Sequence, residues 1–390
     1  MKVLHVGKFY PPHMGGIETH MQVVCRELQS EVDVEVLVAN DNPRDEEFWE
    51  GRAKITRVGT RFWISSAPVC PSLPAKIRRA KADIVHLHLP NPPAILALLA
   101  SGYRGSVVAT YHSDIVRQEK MARLFDPFLR AFLKKCAAIV VTSARYRDTS
   151  SALAPFTGKC KVIPYGIPLD QFRSLPAEAV ERMKQQYGSR LIITTGRLIY
   201  YKGFEFLIQA MGNVDGHLLI AGDGPLRGEL EAQTRDSNLQ DKITFLGAIH
   251  NDEMAPYYHA ADVFALASIA RSEAFGIVQL EAMACGKPVV NTSLDSGVPW
   301  VSQDGVTGIT VPPKDPFALA AAITKLLDDE DLRRKYGEAA RSRVEKEFTQ
   351  ELMIARLLET YREVLRVPVA QTSVLVNTPE VARASRPHAG

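Results

Sequence analysis

Two glutamates, Glu273 and Glu281, lie eight residues apart in a stretch that reads S-E-A-F-G-I-V-Q-L-E-A-M-A-C-G from Ser272 onward. The first precedes a predicted helix and the second lies one or two turns into it. Gly276 falls near the first helical turn, where backbone N–H groups are free and the helix dipole is positive. This pattern suits a diphosphate flanked by hydroxyl-rich groups: Glu281 could accept both hydroxyls of a ribose, and Glu273 those of a sugar ring. The alternative is two acids that only complement the helix dipole.

Two cations, Arg197 and Lys202, follow a predicted buried strand, Leu191–Thr195. At the carboxyl end of a strand they could neutralise a diphosphate, through charge-assisted hydrogen bonds of about 1.5–3 kcal/mol each. Exposed loop cations without a ligand are the alternative.

Two glycine-bearing turns follow other predicted strands. The turn that starts at Gly222 reads G-x-G-x-x-x-G, one residue longer than the dinucleotide-binding fingerprint, so we interpret it mainly as a tight turn beside the ligand. Gly15 and Gly16 join the first strand to the first helix, where glycine lets backbone approach a ligand or an acceptor. A loop that merely needs two glycines is the alternative.

A histidine, His112, ends the predicted strand Val107–Thr110. There it could bond a sugar hydroxyl or move a proton near neutral pH. A structural role stays equally open for it, and is the preferred interpretation for the strand histidines His5, His86 and His88.

Metal and disulfide chemistry have weak support. Asp329 and Asp331 match a D-x-D pattern, but they lie in a charged run between two predicted helices, so no metal is expected there. The five cysteines include no C-x-x-C pair, which favours a reduced, cytoplasmic protein.

Short apolar runs alternate with helical patterns, which predicts βαβ units and parallel sheets covered on both faces. The ten predicted strands form two series of five: Val3–Val6, Val34–Val38, Ile84–Leu87, Val107–Thr110 and Ile139–Thr142, then Leu191–Thr195, His217–Ala221, Ile243–Leu246, Val263–Leu266 and Val289–Thr292. They predict two doubly wound domains with a ligand cleft between them. The predicted divisions are residues 1–170, 171–350, a helix at 351–366 and a flexible tail at 367–390.

Positive charge is concentrated in the first half of the chain. Residues 1–170 hold 23 Lys and Arg against 16 Asp and Glu, whereas the whole chain has a net charge of only +3. The small net charge argues against a typical nucleic-acid binder. The excess of positive charge in the first half favours an anionic partner or membrane surface. Arg117–Lys135 is an amphipathic segment that could rest on a membrane, although its apolar stripe is more often a core face.

Taken together, these motifs resemble the retaining glycosyltransferases of family 4, in order from Met1 to about Arg366. The resemblance rests on the E-x7-E pair, the Gly15–Gly16 loop, His112, the two cations and the Gly222 turn. It implies the GT-B fold: two facing Rossmann-like, doubly wound parallel-sheet domains with an interdomain cleft. The acceptor would bind the N-terminal domain and the donor the C-terminal one, and the last helix would cross back to the N-terminal domain.

The resemblance also implies roles for single residues. Glu281 would bind the ribose of a nucleotide-diphosphate sugar, and Glu273 the transferred sugar. Arg197 and Lys202 would hold the diphosphate, together with the Gly222 turn, the Gly15–Gly16 loop and the backbone of Phe275, Gly276 and Ile277. His112 would hydrogen-bond the sugar. The anomeric configuration would be kept, and no cofactor or obligatory metal is implied.

The stretch from Asn291 to Ser302 is similar to bacterial family members that build surface polysaccharides such as lipopolysaccharide. This implies hexose transfer, from GDP-mannose as the first choice and from a UDP-sugar as the alternative. The acceptor would be a glycan linked to polyprenyl diphosphate, which the protein would bind at the inner face of the cell membrane. Two other classes remain open: a dinucleotide-dependent oxidoreductase, which the glycine spacing disfavours, and a non-catalytic protein that binds nucleotide sugars.

Overall fold

A computed structural model describes residues 1–13, 15–64, 67–114, 119–173 and 177–366, with only the backbone described for residues 119–123 and 251. The predicted tail, residues 367–390, lies outside the described residues, as does Arg117 at the predicted start of the amphipathic segment.

The first half of the chain builds a large sheet. Its described strands are β1 (Lys2–Val6), β2 (Asp33–Ala39), β3 (Glu46–Glu50), β4 (Ala53–Val58), β5 (Phe62–Ile64), β6 (Ala67–Val69), β7 (Ile84–Leu89), β8 (Ser106–Tyr111), β9 (Ala138–Val141) and β10 (Cys160–Val162). Eight of these form one sheet in the order β10-β9-β8-β7-β1-β2-β4-β3, in which only the β3–β4 pairing is antiparallel. Strands β5 and β6 form a separate hairpin. All six residues of β7 are buried, as expected for a central strand with helices on both faces.

The helices of this half connect the strands. They are α1 (Gly16–Leu28), α2 (Leu73–Arg79), α3 (Pro92–Ser101), α4 (Glu119–Lys135), α5 (Ala144–Thr149) and α6 (Asp170–Arg173), with a 3-10 turn at Ala154–Lys159. Helix α3 shows how local sequence sets a boundary. The Asn91 side chain accepts a hydrogen bond from the N–H of Ala94, Pro92 opens the first turn, and Gly102 ends the helix in the left-handed region.

The second half builds a sheet that is parallel throughout. Its described strands are β11 (Leu191–Thr195), β12 (His217–Ala221), β13 (Ile243–Gly247), β14 (Val263–Ala265), β15 (Val289–Thr292) and β16 (Gly308–Val311), in the order β13-β12-β11-β14-β15-β16. The helices are α7 (Ala177–Tyr187), α8 (Phe204–Met211), α9 (Arg227–Asp236), α10 (Ala255–Ala260), α11 (Val278–Ala284), α12 (Val298–Val301), α13 (Pro316–Asp328) and α14 (Glu330–Glu347), with 3-10 turns at Tyr200–Lys202 and Asn251–Glu253.

The last helix, α15 (Gln350–Val364), packs against the first half of the chain. The hydroxyl of Tyr361 lies 2.5 Å from Nδ1 of His86, and Lys161 pairs with Glu363 at 2.6 Å. Thr349 precedes this helix, and Gly166 of the first half packs directly against it: a Cβ on Gly166 would lie 2.1 Å from the Thr349 carbonyl oxygen. The helix therefore completes the core over one face of the first sheet.

The prediction of two doubly wound parallel sheets is confirmed, but five strands per half was too few. The first half adds β3 to β6 and β10, and the second adds β16. Strands β3 (E-E-F-W-E) and β4 (A-K-I-T-R-V) form an antiparallel edge pair, but neither has a continuous apolar run or a strict alternation that would predict a strand. Strands β5, β6 and β10 have only three residues each, too few to show a period.

Candidate active site

A buried ion pair lies beside the carboxyl ends of β11 and β14. Lys202 Nζ is 2.6 Å from Glu273 Oε2, and only about a tenth of either side chain is exposed (11% and 10%). The hydroxyl of Ser268 donates to the same carboxylate oxygen at 3.2 Å. Two donors thus hold the Glu273 carboxylate in one orientation. The sequence predicted a role for each residue of the pair, but not their contact.

Two glycines allow the loops after β11 and β12 to pack closely beside Lys202. Gly196 and Gly222 follow β11 and β12, and their φ angles of 141° and 142° are conformations that favour glycine. A Cβ on Gly222 would lie 2.0 Å from the carbonyl oxygen of Gly196, and one on Gly196 would lie 3.2 Å from Lys202 Nζ. The tight-turn interpretation of Gly222 therefore agrees with the structure.

The second predicted cation, Arg197, is exposed. Within the described part of the chain no ion pair involves it, whereas Lys202 is paired with Glu273. Arg197 is therefore available to an anion from outside the protein.

Glu281 is held by a tyrosine that the sequence analysis missed. The hydroxyl of Tyr258, in α10, donates to Glu281 Oε2 at 2.6 Å. Burial raises the pKa of the Glu281 carboxyl, and it also raises the pKa of Tyr258 well above its usual value. Among the described residues nothing donates to the other oxygen, Oε1, which leaves an acceptor for a ligand hydroxyl.

The loop before α11 presents backbone N–H groups. The side-chain amide of Gln279 donates to the carbonyl oxygens of Phe275 at 3.2 Å and Gly276 at 3.4 Å, and Asn291 holds Gln279 at 2.9 Å. In a planar trans peptide the N–H points opposite to the carbonyl, so the N–H groups of Gly276 and Ile277 face away from Gln279. In the described part of the chain neither group donates to a protein acceptor. Gly276 has φ 72°, and a Cβ there would lie 2.8 Å from the Leu266 side chain.

The predicted histidine, His112, is buried and bonded at both ring nitrogens. Its Nε2 lies 3.1 Å from Nδ1 of His88, and its Nδ1 contacts the Tyr165 hydroxyl. Burial lowers the pKa of His112 well below 6.5, so the ring is neutral at pH 7. The ring of Tyr165 meets that of Phe275 edge-on at 5.0 Å. Tyr165 therefore links His112 to Phe275 in the second half of the chain. A sugar hydroxyl could bond His112 only by replacing its hydrogen bond to His88 or to Tyr165.

His112 belongs to a larger histidine cluster. Nδ1 of His5 lies 3.1 Å from Nε2 of His88, and the rings of His86 and His88 stack at 4.8 Å. His20, from α1, meets the ring of His112 edge-on at 5.3 Å. The strand histidines are buried, as their structural interpretation expected. The sequence analysis missed His20 and the contacts, although a spacing of two places His86 and His88 on one face of β7.

The Gly15–Gly16 loop lies at the start of α1, the helix that carries His20. Gly15 has an extended backbone, so its conformation does not require glycine. A Cβ on Gly16 would meet no atom within 4 Å, which leaves open space above the first helical turn. The loop thus lies one helical turn before His20, which contacts the histidine cluster.

The two halves of the chain also meet beside the site. Arg271 Nη2 donates to Asp114 Oδ2 at 3.0 Å, and Nη1 of the same guanidinium donates to the Thr149 carbonyl at 3.0 Å. Arg271 precedes Glu273 by two residues, and Asp114 follows His112 by two. These contacts hold the loops of the two predicted site residues together across the cleft. The sequence analysis identified neither partner.

The D-x-D residues have local partners. Asp329 accepts from the N–H of Leu332 at 2.9 Å and caps α14, while Asp331 pairs with Arg334 at 3.0 Å. This agrees with a helix boundary. All five cysteines are free.

Two facing parallel sheets with this set of acids, cations and free N–H groups define a GT-B glycosyltransferase. Residues 14–171 match the protein family described as Glycosyltransferase Family 4, and residues 179–343 match Glycosyl transferases group 1. The D-rhamnosyltransferase WbpZ of Pseudomonas aeruginosa is 32% identical over 353 residues, which are 90% of this chain and 92% of that protein. The chain therefore belongs to the family 4 glycosyltransferases.

Two further proteins are similar to this chain over nearly its whole length. The O-antigen chain mannosyltransferase C of Escherichia coli is 28% identical over 371 residues, 94% of this chain and 99% of that protein. The crystal structure of Anabaena HepE in complex with UDP has a TM-score of 0.77 and 20% identity, and covers 93% of this chain and 100% of that one. At that identity the second likeness shows the fold alone.

Proposed function

We propose that this protein is a retaining hexosyltransferase of surface polysaccharide synthesis, with a nucleotide-diphosphate sugar as donor and a lipid-linked glycan as acceptor. The proposal rests on the buried Lys202–Glu273 pair and on the loop three residues after Glu273. In that loop the N–H groups of Gly276 and Ile277 donate to no acceptor among the described residues. One loop thus offers an acceptor for sugar hydroxyls and donors for a diphosphate, as a donor sugar requires.

The donor would be held by the second half of the chain. The free oxygen of Glu281 would accept the ribose hydroxyls, and Glu273 those of the sugar. The diphosphate would contact Arg197, Lys202 and the N–H groups before α11. Positive charge fixed at the leaving group stabilises the transition state, so we infer that the protein's own donors serve the reaction without a metal.

The bond changes follow from the state of Glu273. Its carboxylate is paired with a lysine, which suits it to position the sugar and not to take a proton. The bond from the anomeric carbon to the phosphate oxygen breaks, and the acceptor hydroxyl attacks from the same face. Its proton passes to the departing phosphate oxygen, so the configuration is kept and no covalent enzyme intermediate forms.

The donor we favour is GDP-mannose. The support is the similarity to an O-antigen chain mannosyltransferase and to a D-rhamnosyltransferase, whose sugar is the 6-deoxy form of mannose. A UDP-sugar is the second candidate, because a protein of this fold has been crystallised with UDP.

The acceptor would be a glycan on polyprenyl diphosphate at the inner face of the membrane. Helix α4 supports this, because Leu124 and Phe128 are 79% and 48% exposed while Phe132 and Leu133 are buried. In the described part of the chain no helix is long and apolar enough to cross a bilayer. We therefore propose peripheral contact through α4.

Replacing Leu124 and Phe128 with serine should release the protein from anionic vesicles in a sedimentation assay, and unchanged sedimentation would contradict the contact.

The proposed function is tested by a donor panel with a polyprenyl-diphosphate-linked glycan as acceptor. We expect sugar transfer from GDP-mannose, and NMR should show that the product keeps the anomeric configuration of the donor.

Glu281→Gln should weaken GDP binding at least tenfold by calorimetry, whereas Glu338→Gln, on the exposed surface of α14, should leave it unchanged. Binding without transfer or donor hydrolysis across the panel would favour the non-catalytic alternative. Equal GDP affinity in Glu281→Gln would refute the ribose contact.

A further inference from the structure

The histidine cluster beside the cleft has a feature that sugar transfer does not need. The ring nitrogens of His20, His88 and His112 include three that all lie within 4.8 Å of one another. We propose that these three side chains form a binding site for a zinc ion. The binding itself is independent of the proposed function, while its effect on sugar transfer rests on that function.

The spacing of two of the ligands already fits zinc. Nδ1 of His88 and Nε2 of His112 are 3.1 Å apart. Two nitrogens on a tetrahedral zinc ion, each bonded at about 2.0–2.1 Å, are separated by roughly 3.3 Å. The pair therefore shares a proton when no ion is bound, and could share an ion instead with little movement.

The other nitrogens of these two rings have suitable partners. Nδ1 of His112 contacts the hydroxyl oxygen of Tyr165, and Nε2 of His88 lies 3.1 Å from Nδ1 of His5. When the ion is bound, each ring carries its proton on that outer nitrogen and donates it to the neighbour. Histidines that bind a metal usually donate from the second nitrogen in this way. The change is a tautomeric shift within neutral rings, so no proton is released.

His20 supplies the third ligand and the route of entry. It is partly exposed, and in the described part of the chain no hydrogen bond involves its ring. Its ring lies edge-on to His112 at 5.3 Å and to His88 at 6.1 Å, so it can turn toward the other two. A water would complete four-coordination.

The neighbouring triad of His5, His86 and His88 suits an ion less well. Both ring nitrogens of His86 are engaged, at 2.5 Å with Tyr361 and 2.7 Å with Thr110, and all three rings are buried. An ion there would have to break two bonds and would lack an exposed ligand.

The test measures zinc binding by equilibrium dialysis of the chelator-treated, full-length protein at pH 7.5. Wild type is expected to bind one zinc ion at least tenfold more tightly than His20→Phe, which keeps an aromatic ring but has no nitrogen. The control is His13→Ala, since His13 lies in the loop before α1 and pairs with Asp41. This variant should bind zinc as wild type does. Equal binding by wild type and His20→Phe would overturn the site.

Two further measurements keep the outcomes separate. Wild type loaded with Co²⁺ should show the intense visible absorption of a four-coordinate ion, and a weak six-coordinate spectrum would overturn the proposal even if His20→Phe failed to fold. Zinc should reduce sugar transfer by wild type at least tenfold, and transfer by His20→Phe less than twofold, each relative to its own zinc-free rate. If no transfer is seen under any condition but the difference in binding persists, the proposed function fails and the zinc site stands.

Discussion

Replacing Lys202 with methionine is expected to destabilise the protein by about 3–5 kcal/mol, because it leaves the Glu273 carboxylate buried without its partner. Turnover of the folded variant should also fall at least tenfold, about 1.4 kcal/mol of barrier, since a cation at the diphosphate is lost. The measurements are urea unfolding and the rate of sugar transfer at saturating donor.

Two further variants separate stability from activity. The double change Lys202→Met with Glu273→Gln removes both charges, so it should recover most of the lost stability while turnover stays low. Lys161→Met breaks a pair of the same 2.6 Å length with Glu363, but the side chains are 46% and 45% exposed. The cost there should stay below about 1 kcal/mol. If both lysine variants lose equal stability, burial of the Lys202 pair is not what makes it strong.

Acid is expected to unfold the protein between about pH 4.5 and 5.5. Burial lowers the pKa of His5 and of His20 from 6.5 to about 3, and lowers those of His86, His88 and His112 well below 6.5. As the pH falls below 6.5, the unfolded chain binds protons at these histidines and the folded chain does not. Each one then costs about 1.4 kcal/mol of stability per pH unit. Together they would use up a typical stability of about 5–15 kcal/mol within one to two units.

The measurement is the free energy of unfolding by urea at a series of pH values from 7.5 to 5. His20→Phe removes one such histidine without breaking a hydrogen bond within the described residues, so its slope should be smaller by about one proton. A free energy of unfolding that is constant over this range would show that the cluster accepts protons while folded.

The sequence predicted the parallel sheets well because buried strands leave a clear local trace. Leu191–Thr195, His217–Ala221 and Val289–Thr292 have the bounds that their apolar runs predict. The same regularity placed Arg197, Lys202 and the E-x7-E pair at the carboxyl edge of one sheet.

The contacts between those residues could not be predicted, because they join distant parts of the chain. Tyr258 reaches Glu281 across 23 residues, and Arg271 reaches Asp114 across 157. Neither tyrosine nor arginine is unusual at such positions, so no local pattern marks them. His112 was the opposite case: its position was foreseen, but its two buried hydrogen bonds depend on His88 and Tyr165.

The return of α15 means that the sequence boundary near residue 170 is not a place where the chain can be cut. Tyr361 is fully buried and joins the His86 ring, and Met353 and Leu357 belong to the same core as Met21 of α1. A fragment that ended at residue 170 would uncover that apolar face and leave His86 without its tyrosine. The amino-terminal lobe is thus finished by a helix that is synthesised after the whole second sheet, so its native packing must wait until α15 has left the ribosome.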